Sequence, residues 1–121
     1  MPRVVHFEIA ADNPERAAKF YTAVFDWKIN KWGGPQDYWL AETGQNGEPG
    51  INGGLMQRQA PSQTTVNTVA VSDLDQYIDK VQKSGGTLAS RHTIPGIGYL
   101  AYCTDTEGNA FGMMQPDESA K

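Results

Sequence analysis

His6 and Glu8, near the start of the chain, are the two side chains whose types and spacing best suit chemistry. An imidazole changes its charge close to neutral pH, and a carboxylate can accept a proton or hold a polar group of a ligand. The pair could therefore be an acid–base couple or the polar anchor of a bound molecule. The same side chains could also form a hydrogen-bonded pair that does no chemistry. A third possibility joins them with His92, the only other histidine, as ligands of a metal ion.

The segment that carries this pair, residues 4–10, is rich in apolar and β-branched residues and is predicted to be a β-strand. Side chains two residues apart on a strand share a face, so His6 and Glu8 lie on one face and Val5, Phe7 and Ile9 on the other. The apolar face is expected to pack under helices. Because an unpaired carboxylate is costly to bury, we expect the other face to border a polar or solvated space.

A helix is predicted after this strand, because Asn13 is a good N-cap and Pro14 suits the first helical position. Apolar side chains then recur at helical spacing and predict one buried stripe, which consists of Ala17, Phe20, Tyr21, Val24 and Phe25. The helix is expected to end near Phe25 or Asp26. Three strands are predicted next, over residues 27–32, 38–43 and 51–58, before a linker at 59–64.

The same order of elements is predicted again after the linker. Residues 65–71 form a strand, Ser72 or Asp73 caps a helix, and Gly85 and Gly86 end it. The apolar stripe of this second helix consists of Leu74, Tyr77, Ile78 and Val81. Strands are predicted over residues 87–94, 98–104 and 110–115.

The two halves also match in sequence when the chain is compared with itself. An offset of 61 aligns Val5 with Val66 and Asp12 with Asp73, an offset of 60 aligns 39–41 with 99–101, and an offset of 58 aligns 54–57 with 112–115. The sequence therefore predicts an α+β fold with two tandem βαβββ modules in a single domain, residues 1–121. Module one covers about 4–58 and module two about 65–116. The open faces of two such sheets can curl into a half-barrel groove.

Several other side chains are expected to line that groove. Trp39 and Tyr99 occupy equivalent repeat positions and, with Tyr102, could provide aromatic walls. Met56 and Met114 form a second matched pair and could provide an adaptable apolar floor. Ordinary packing within the sheets is the alternative for each of these five residues. An apolar or aromatic small molecule is the ligand that such walls favour.

The composition excludes several classes of function. Ten Lys and Arg residues against 14 Asp and Glu residues give a net charge of −4, which argues against a nucleic-acid partner. No apolar segment is long enough to span a membrane, and Cys103, the single cysteine, cannot form an internal disulfide. We expect a cytoplasmic protein.

Three segments of module one and four of module two carry a resemblance to a known family. They are His6–Ile9, Asp12–Tyr21 and Val24–Trp27, then Asp73–Asp75, Gly85–Gly86, Ile94–Gly96 and Asp105–Gly112. On these residues the chain resembles the vicinal oxygen chelate superfamily, which includes glyoxalase I, bleomycin-resistance proteins and extradiol dioxygenases. The resemblance runs from about Val4 to Pro116 and implies the paired βαβββ fold.

The resemblance also implies where metal ligands would lie. In metal-dependent members they come from the first and last strands of each half, and these positions match His6, Gly54, Asn67 and Gly112. Glycine has no side chain to donate, and an amide oxygen is a poor ligand for zinc, nickel or iron. We therefore expect no cofactor, and Asn67 is expected to contact a ligand instead.

These observations favour a metal-independent small-molecule binding protein, and resistance or sequestration is the role that such a protein could serve. The alternative is a glyoxalase-like lyase, isomerase or epimerase that uses Glu8 as general base, with or without a metal at His6. Because similar proteins are commonly homodimers, the resemblance also implies a homodimer.

Overall fold

The computed structural model describes residues 2–34 and 36–121 of the chain. Over these residues it contains eight strands and two helices, and both halves have the predicted order of one strand, one helix and three strands. In the first half these are β1 (Arg3–Ala11), α1 (Pro14–Phe25), β2 (Lys28–Lys31), β3 (Tyr38–Glu42) and β4 (Gly53–Gln57). In the second half they are β5 (Thr65–Ala70), α2 (Leu74–Lys83), β6 (Thr87–Ile94), β7 (Gly98–Thr104) and β8 (Ala110–Pro116). Neither helix has the length and apolar character needed to cross a membrane.

The chain divides into two compact units, of which one comprises His6–Val66 and the other residues 67–121 with the segment before His6. Each unit contains four neighbouring strands. In the first, the order is β2-β3-β4-β1, and β1 pairs in parallel with β4 so that Glu8 lies opposite Gly54. In the second, the order is β5-β8-β7-β6, and Thr68 lies opposite Gly112 in the parallel pairing of β5 with β8. The predicted α+β fold with two βαβββ modules is confirmed.

Both helices begin at the predicted residues. The Asn13 carboxamide oxygen accepts a hydrogen bond from the Arg16 N–H at 3.0 Å, and the Asp73 carboxylate accepts one from the Gln76 N–H at 3.1 Å. Each cap satisfies a backbone donor that has no partner within its helix. α1 ends at Phe25, and its C-cap Asp26 adopts the left-handed conformation with φ of 60°.

The hydrophobic core of the second unit forms under α2. It consists of Val71, Leu74, Ile78, Ala101, Cys103 and Met113. Leu74 and Ile78 come from α2, whereas Ala101 and Cys103 come from β7, so the helix packs on that face of the sheet. Phe111, Leu88 and Tyr99 extend the cluster at its edges.

The apolar stripe predicted for α1 is correct at Ala17 and Tyr21 and wrong at its other three residues. Phe20, Val24 and Phe25 are more than half exposed, at 58%, 55% and 57%. The less exposed side chains of α1 are instead Pro14, Ala17, Ala18 and Tyr21. These four residues occupy the i, i+3, i+4 and i+7 positions of one helical face.

The linker at residues 59–64 is tied to module one through Arg58. The Arg58 guanidinium donates to the Asp12 carboxylate at 2.9 Å, to the Ala10 carbonyl at 3.2 Å and to the Gln63 carbonyl. The backbone N–H of Arg58 also donates to the Ala11 carbonyl at 2.9 Å. One side chain therefore connects the end of β1 with both ends of the linker.

Candidate functional site

The first strand presents His6 and Glu8 on one of its faces. Glu8 is only 8% exposed, although it carries a carboxylate. Phe7 lies on the opposite face, where its ring is 5.9 Å from that of Trp27, which in turn stacks on Tyr21 of α1. The helix therefore covers the Phe7 side of β1, and the His6 and Glu8 side is the face turned away from α1.

Tyr38 of β3 joins His6 on this face. Its hydroxyl oxygen lies 2.6 Å from Nε2 of His6, and the two rings are nearly parallel with an interplanar angle of 18°. The Tyr38 ring also covers Gly54, because a Cβ at residue 54 would overlap the ring carbons and the hydroxyl of Tyr38. Sequence reasoning missed Tyr38. Its position opposite Met56 follows from strand pairing, which no single-strand pattern shows.

Burial is the main influence on the charge of His6. Desolvation lowers the pKa of the imidazole below its ordinary value, and the neighbouring Glu8 carboxylate acts in the opposite direction by attracting the proton. The imidazole is therefore neutral at pH 7. A neutral histidine keeps one donor and one acceptor nitrogen, so it can take part in a directional hydrogen bond on each side.

Of the other residues predicted for module one, Met56 shares the face of His6 and Trp39 does not. Met56 pairs with Tyr38 across β3 and β4 and is partly buried. Trp39 pairs with Leu55, which is fully buried, so both lie on the α1 side of the sheet. We use the name His6 face for the surface formed by His6, Glu8, Tyr38 and Met56.

The residues predicted for module two also divide between two faces. Tyr102, Met114 and His92 lie on the face of Thr68 and Gly112, since Tyr102 pairs with Gly112 and both Met114 and His92 pair with Leu100. The His92 ring contacts Tyr102 edge-on with centroids 6.0 Å apart, and its Nε2 lies 3.0 Å from the Ser90 hydroxyl oxygen.

Tyr99 and Asn67 lie on the opposite face of module two. Tyr99 packs against the hydrophobic core under α2, and the Arg91 guanidinium lies over its ring at 5.4 Å from the centroid. Asn67 precedes Thr68 on β5 and therefore shares the side of Val69, which packs against the same core. The pairing of Thr68 with Gly112 makes Thr68 the structural counterpart of Glu8, which lies opposite Gly54.

The residues present do not fit the metal centre that the resemblance implies. In the part of the chain that the structure describes, no three His, Cys, Asp or Glu side chains gather closely enough to hold a metal ion. At the Gly54 position the space of a ligand side chain is filled by the Tyr38 ring, and at Gly112 the Thr68 hydroxyl oxygen lies 3.2 Å from where a Cβ would be. Nε2 of His6 is already hydrogen-bonded to Tyr38.

A separate concavity lies beside the polar loop between β3 and β4. It has a volume of about 640 Å³ and is bordered by Phe25, Asp26, Lys28, Glu42 and residues of the loop up to Asn52. None of the side chains of the His6 face lines it.

Comparison with known proteins agrees with this fold. The family model of the glyoxalase/bleomycin resistance protein/dioxygenase superfamily matches residues 3–113. No curated protein matches the sequence closely enough to count as a relative.

Three similar solved structures illustrate the range of neighbours. A methylmalonyl-CoA epimerase variant from Streptomyces coelicolor, in complex with 2-nitronate-propionyl-CoA, has a TM-score of 0.73 at 10% identity over 100% of this chain and 99% of its own. Methylmalonyl-CoA epimerase from Mycobacterium tuberculosis has a TM-score of 0.67 at 15% identity, covering 94% and 87%. A hypothetical protein from Bacillus halodurans has a TM-score of 0.69 at 14% identity, covering 98% and 97%.

At such low identity these structures establish a shared fold, and the family model adds a match in sequence over nearly the whole chain. Together with the two βαβββ modules, they show that the chain belongs to the glyoxalase/bleomycin resistance protein/dioxygenase superfamily.

Proposed function

We propose that this protein binds a small organic molecule at the His6 face without the help of a metal ion. The observation that carries the proposal is the Tyr38 ring over Gly54 with its hydroxyl bonded to His6. This arrangement leaves a histidine, a carboxylate and a phenol side by side, next to the apolar side chain of Met56. Such a combination suits a ligand with an apolar or aromatic body and one polar end.

Two further parts of the proposal are a homodimer, which the resemblance implies, and a cytoplasmic location, which the sequence composition suggests. Resistance to, or sequestration of, a toxic small molecule is the role that a binding protein without turnover would serve. The groove predicted between the two modules, and the contribution of Asn67, Tyr99, Tyr102 and Met114 to it, stay predictions.

Native mass spectrometry of the protein purified without chelator tests the proposal directly, because one spectrum reports oligomeric state, metal content and any retained ligand. We expect a dimer that carries a small organic adduct or takes up an added one, and no stoichiometric metal after exposure to zinc, nickel, manganese or ferrous iron. Retention of the adduct should fall in Glu8→Gln and persist in the control Trp39→Phe, whose side chain lies on the α1 side. One bound metal per site would overturn the proposal.

The second candidate function is an epimerase or isomerase with Glu8 as general base. It is favoured by the burial of Glu8 beside a neutral His6, and by the methylmalonyl-CoA epimerases among the structural neighbours. A buried carboxylate held beside hydrogen-bonding groups is positioned to take a proton from a carbon next to a carbonyl.

Deuterium exchange separates this candidate from the first. Methylmalonyl-CoA is incubated with the protein in D2O, and incorporation at the carbon next to the thioester carbonyl is followed by mass spectrometry. An epimerase should catalyse the exchange, and Glu8→Gln should lose about 10²–10⁴-fold in rate. A pure binding protein should catalyse none in the wild type, and that result would reject the epimerase for this substrate.

A further inference from the structure

Tyr38 occupies the place where the superfamily resemblance expects a metal ligand. The matching position on β4 is Gly54, and a side chain there would collide with the Tyr38 ring. Glycine at position 54 and the Tyr38 ring are therefore structurally linked, because a residue with a side chain at position 54 would leave no room for the ring.

The direction of the hydrogen bond between Tyr38 and His6 depends on the tautomer of His6. Its length of 2.6 Å lies within the range of about 2.5–3.0 Å typical of hydroxyl donors. When the Tyr38 hydroxyl donates, Nε2 of His6 accepts. In a neutral imidazole the other nitrogen, Nδ1, then carries the proton.

We propose that Tyr38 is a positioning residue that replaces a metal ligand: its hydroxyl holds His6 as the Nδ1–H tautomer and occupies the Nε2 lone pair that a metal would need. His6 then meets the ligand of the site as a hydrogen-bond donor through Nδ1–H. Glu8 beside it is an acceptor, because its carboxylate carries several lone pairs. The role toward a ligand rests on the proposed function, whereas the tautomer and the blocked lone pair do not.

Nitrogen NMR of the protein with 15N-labelled histidine tests the tautomer without any variant. The wild type should show a protonated Nδ1 and an unprotonated Nε2 for His6 at pH 7.5. Tyr38→Phe keeps the ring over Gly54 and removes only the hydroxyl, so the His6 signals should move toward a mixture of tautomers. In the control Tyr77→Phe, which removes a tyrosine hydroxyl from α2, the His6 signals should not move. A protonated Nε2 in the wild type would overturn the proposal.

A zinc titration tests the blocked lone pair on the same samples. One equivalent of zinc chloride should leave the His6 nitrogen signals of the wild type unchanged. Tyr38→Ala frees Nε2, and zinc should then shift or broaden the His6 signals. A shift of His6 in the wild type at one equivalent would show that Tyr38 does not exclude a metal. If no small molecule is ever retained while both NMR results hold, the proposed function fails and the role of Tyr38 stands.

Discussion

Glu8 lies two residues beyond His6 on the same face of β1, and its carboxylate partly offsets the effect of burial on the imidazole. Burial lowers the pKa of His6 from its ordinary value of 6.5, and the attraction of Glu8 raises it. The net direction is downward, so the folded protein holds the proton less tightly than the unfolded chain. Because the unfolded state then binds more protons at mildly acidic pH, the stability of the fold depends on pH through this residue.

The free energy of unfolding should be greatest above about pH 6.5 and should fall as the pH drops below the ordinary value of the His6 pKa. Urea denaturation between pH 5 and pH 8 measures this dependence. In His6→Asn the slope over this interval should be smaller than in the wild type. Parallel curves for wild type and His6→Asn would contradict the prediction.

Gly54→Ala should destabilise the protein by about 1–3 kcal/mol, because the new methyl group overlaps the Tyr38 ring and forces it away from His6. Urea denaturation gives the loss, and the His6 NMR signals report whether the hydrogen bond to Tyr38 has broken. The control is Gly33→Ala, whose Cβ would point into open space, and it should change stability by about 0.5 kcal/mol or less. Equal stability of the two variants would show that Tyr38 is not fixed over Gly54.

Arg58→Ala should cost about 1–3 kcal/mol, because it removes several hydrogen bonds at once and leaves the Ala10 and Gln63 carbonyls without this donor. The matched control is Arg91→Ala. Arg91 makes a similar pair with Asp75 at 3.0 Å, but its side chain is 38% exposed against 28% for Arg58. An exposed pair of this kind is worth about 1 kcal/mol or less.

Limited proteolysis gives an independent measurement of the same effect. The 59–64 linker should be cut faster in Arg58→Ala than in the wild type or in Arg91→Ala. An unchanged cutting rate, with unchanged stability, would mean that Arg58 does not hold the linker.

Cys103 should react very slowly with thiol reagents in the folded protein. It is 1% exposed within the core under α2, and burial raises the pKa of its thiol, so little reactive thiolate is present. Absorbance with a disulfide reagent measures the rate, which should rise steeply when urea unfolds the chain. Rapid reaction under native conditions would show that the core opens locally around β7.

The sequence predicted the element order well because its signals are local. The caps Asn13 and Asp73 lie where expected, and β6 and β7 have the predicted bounds. Alternation along β1 also separates His6 from Phe7. These features depend on neighbouring residues alone, which is why a single sequence shows them.

The candidate site was less predictable because it depends on pairing between strands. The repeat aligned Asn67 with His6, whereas the register of β5 with β8 makes Thr68 the counterpart of Glu8. Tyr38 reaches His6 only because β3 and β1 both lie beside β4. Which face of a strand a helix covers is likewise a tertiary property, and it decides the positions of Trp39 and Tyr99.

The parallel pairing of β1 with β4 has a consequence for how a ligand would affect folding. Phe7 and Gly53 are distant in sequence, so this ladder closes a longer loop than the β2–β3 and β3–β4 hairpins do and costs more chain entropy. His6 and Glu8 reach Tyr38 and Met56 only when that loop is closed. A molecule that binds the His6 face therefore favours the paired state of β1 and β4 by mass action. Binding of the molecule and formation of the β1–β4 pairing are thus thermodynamically linked.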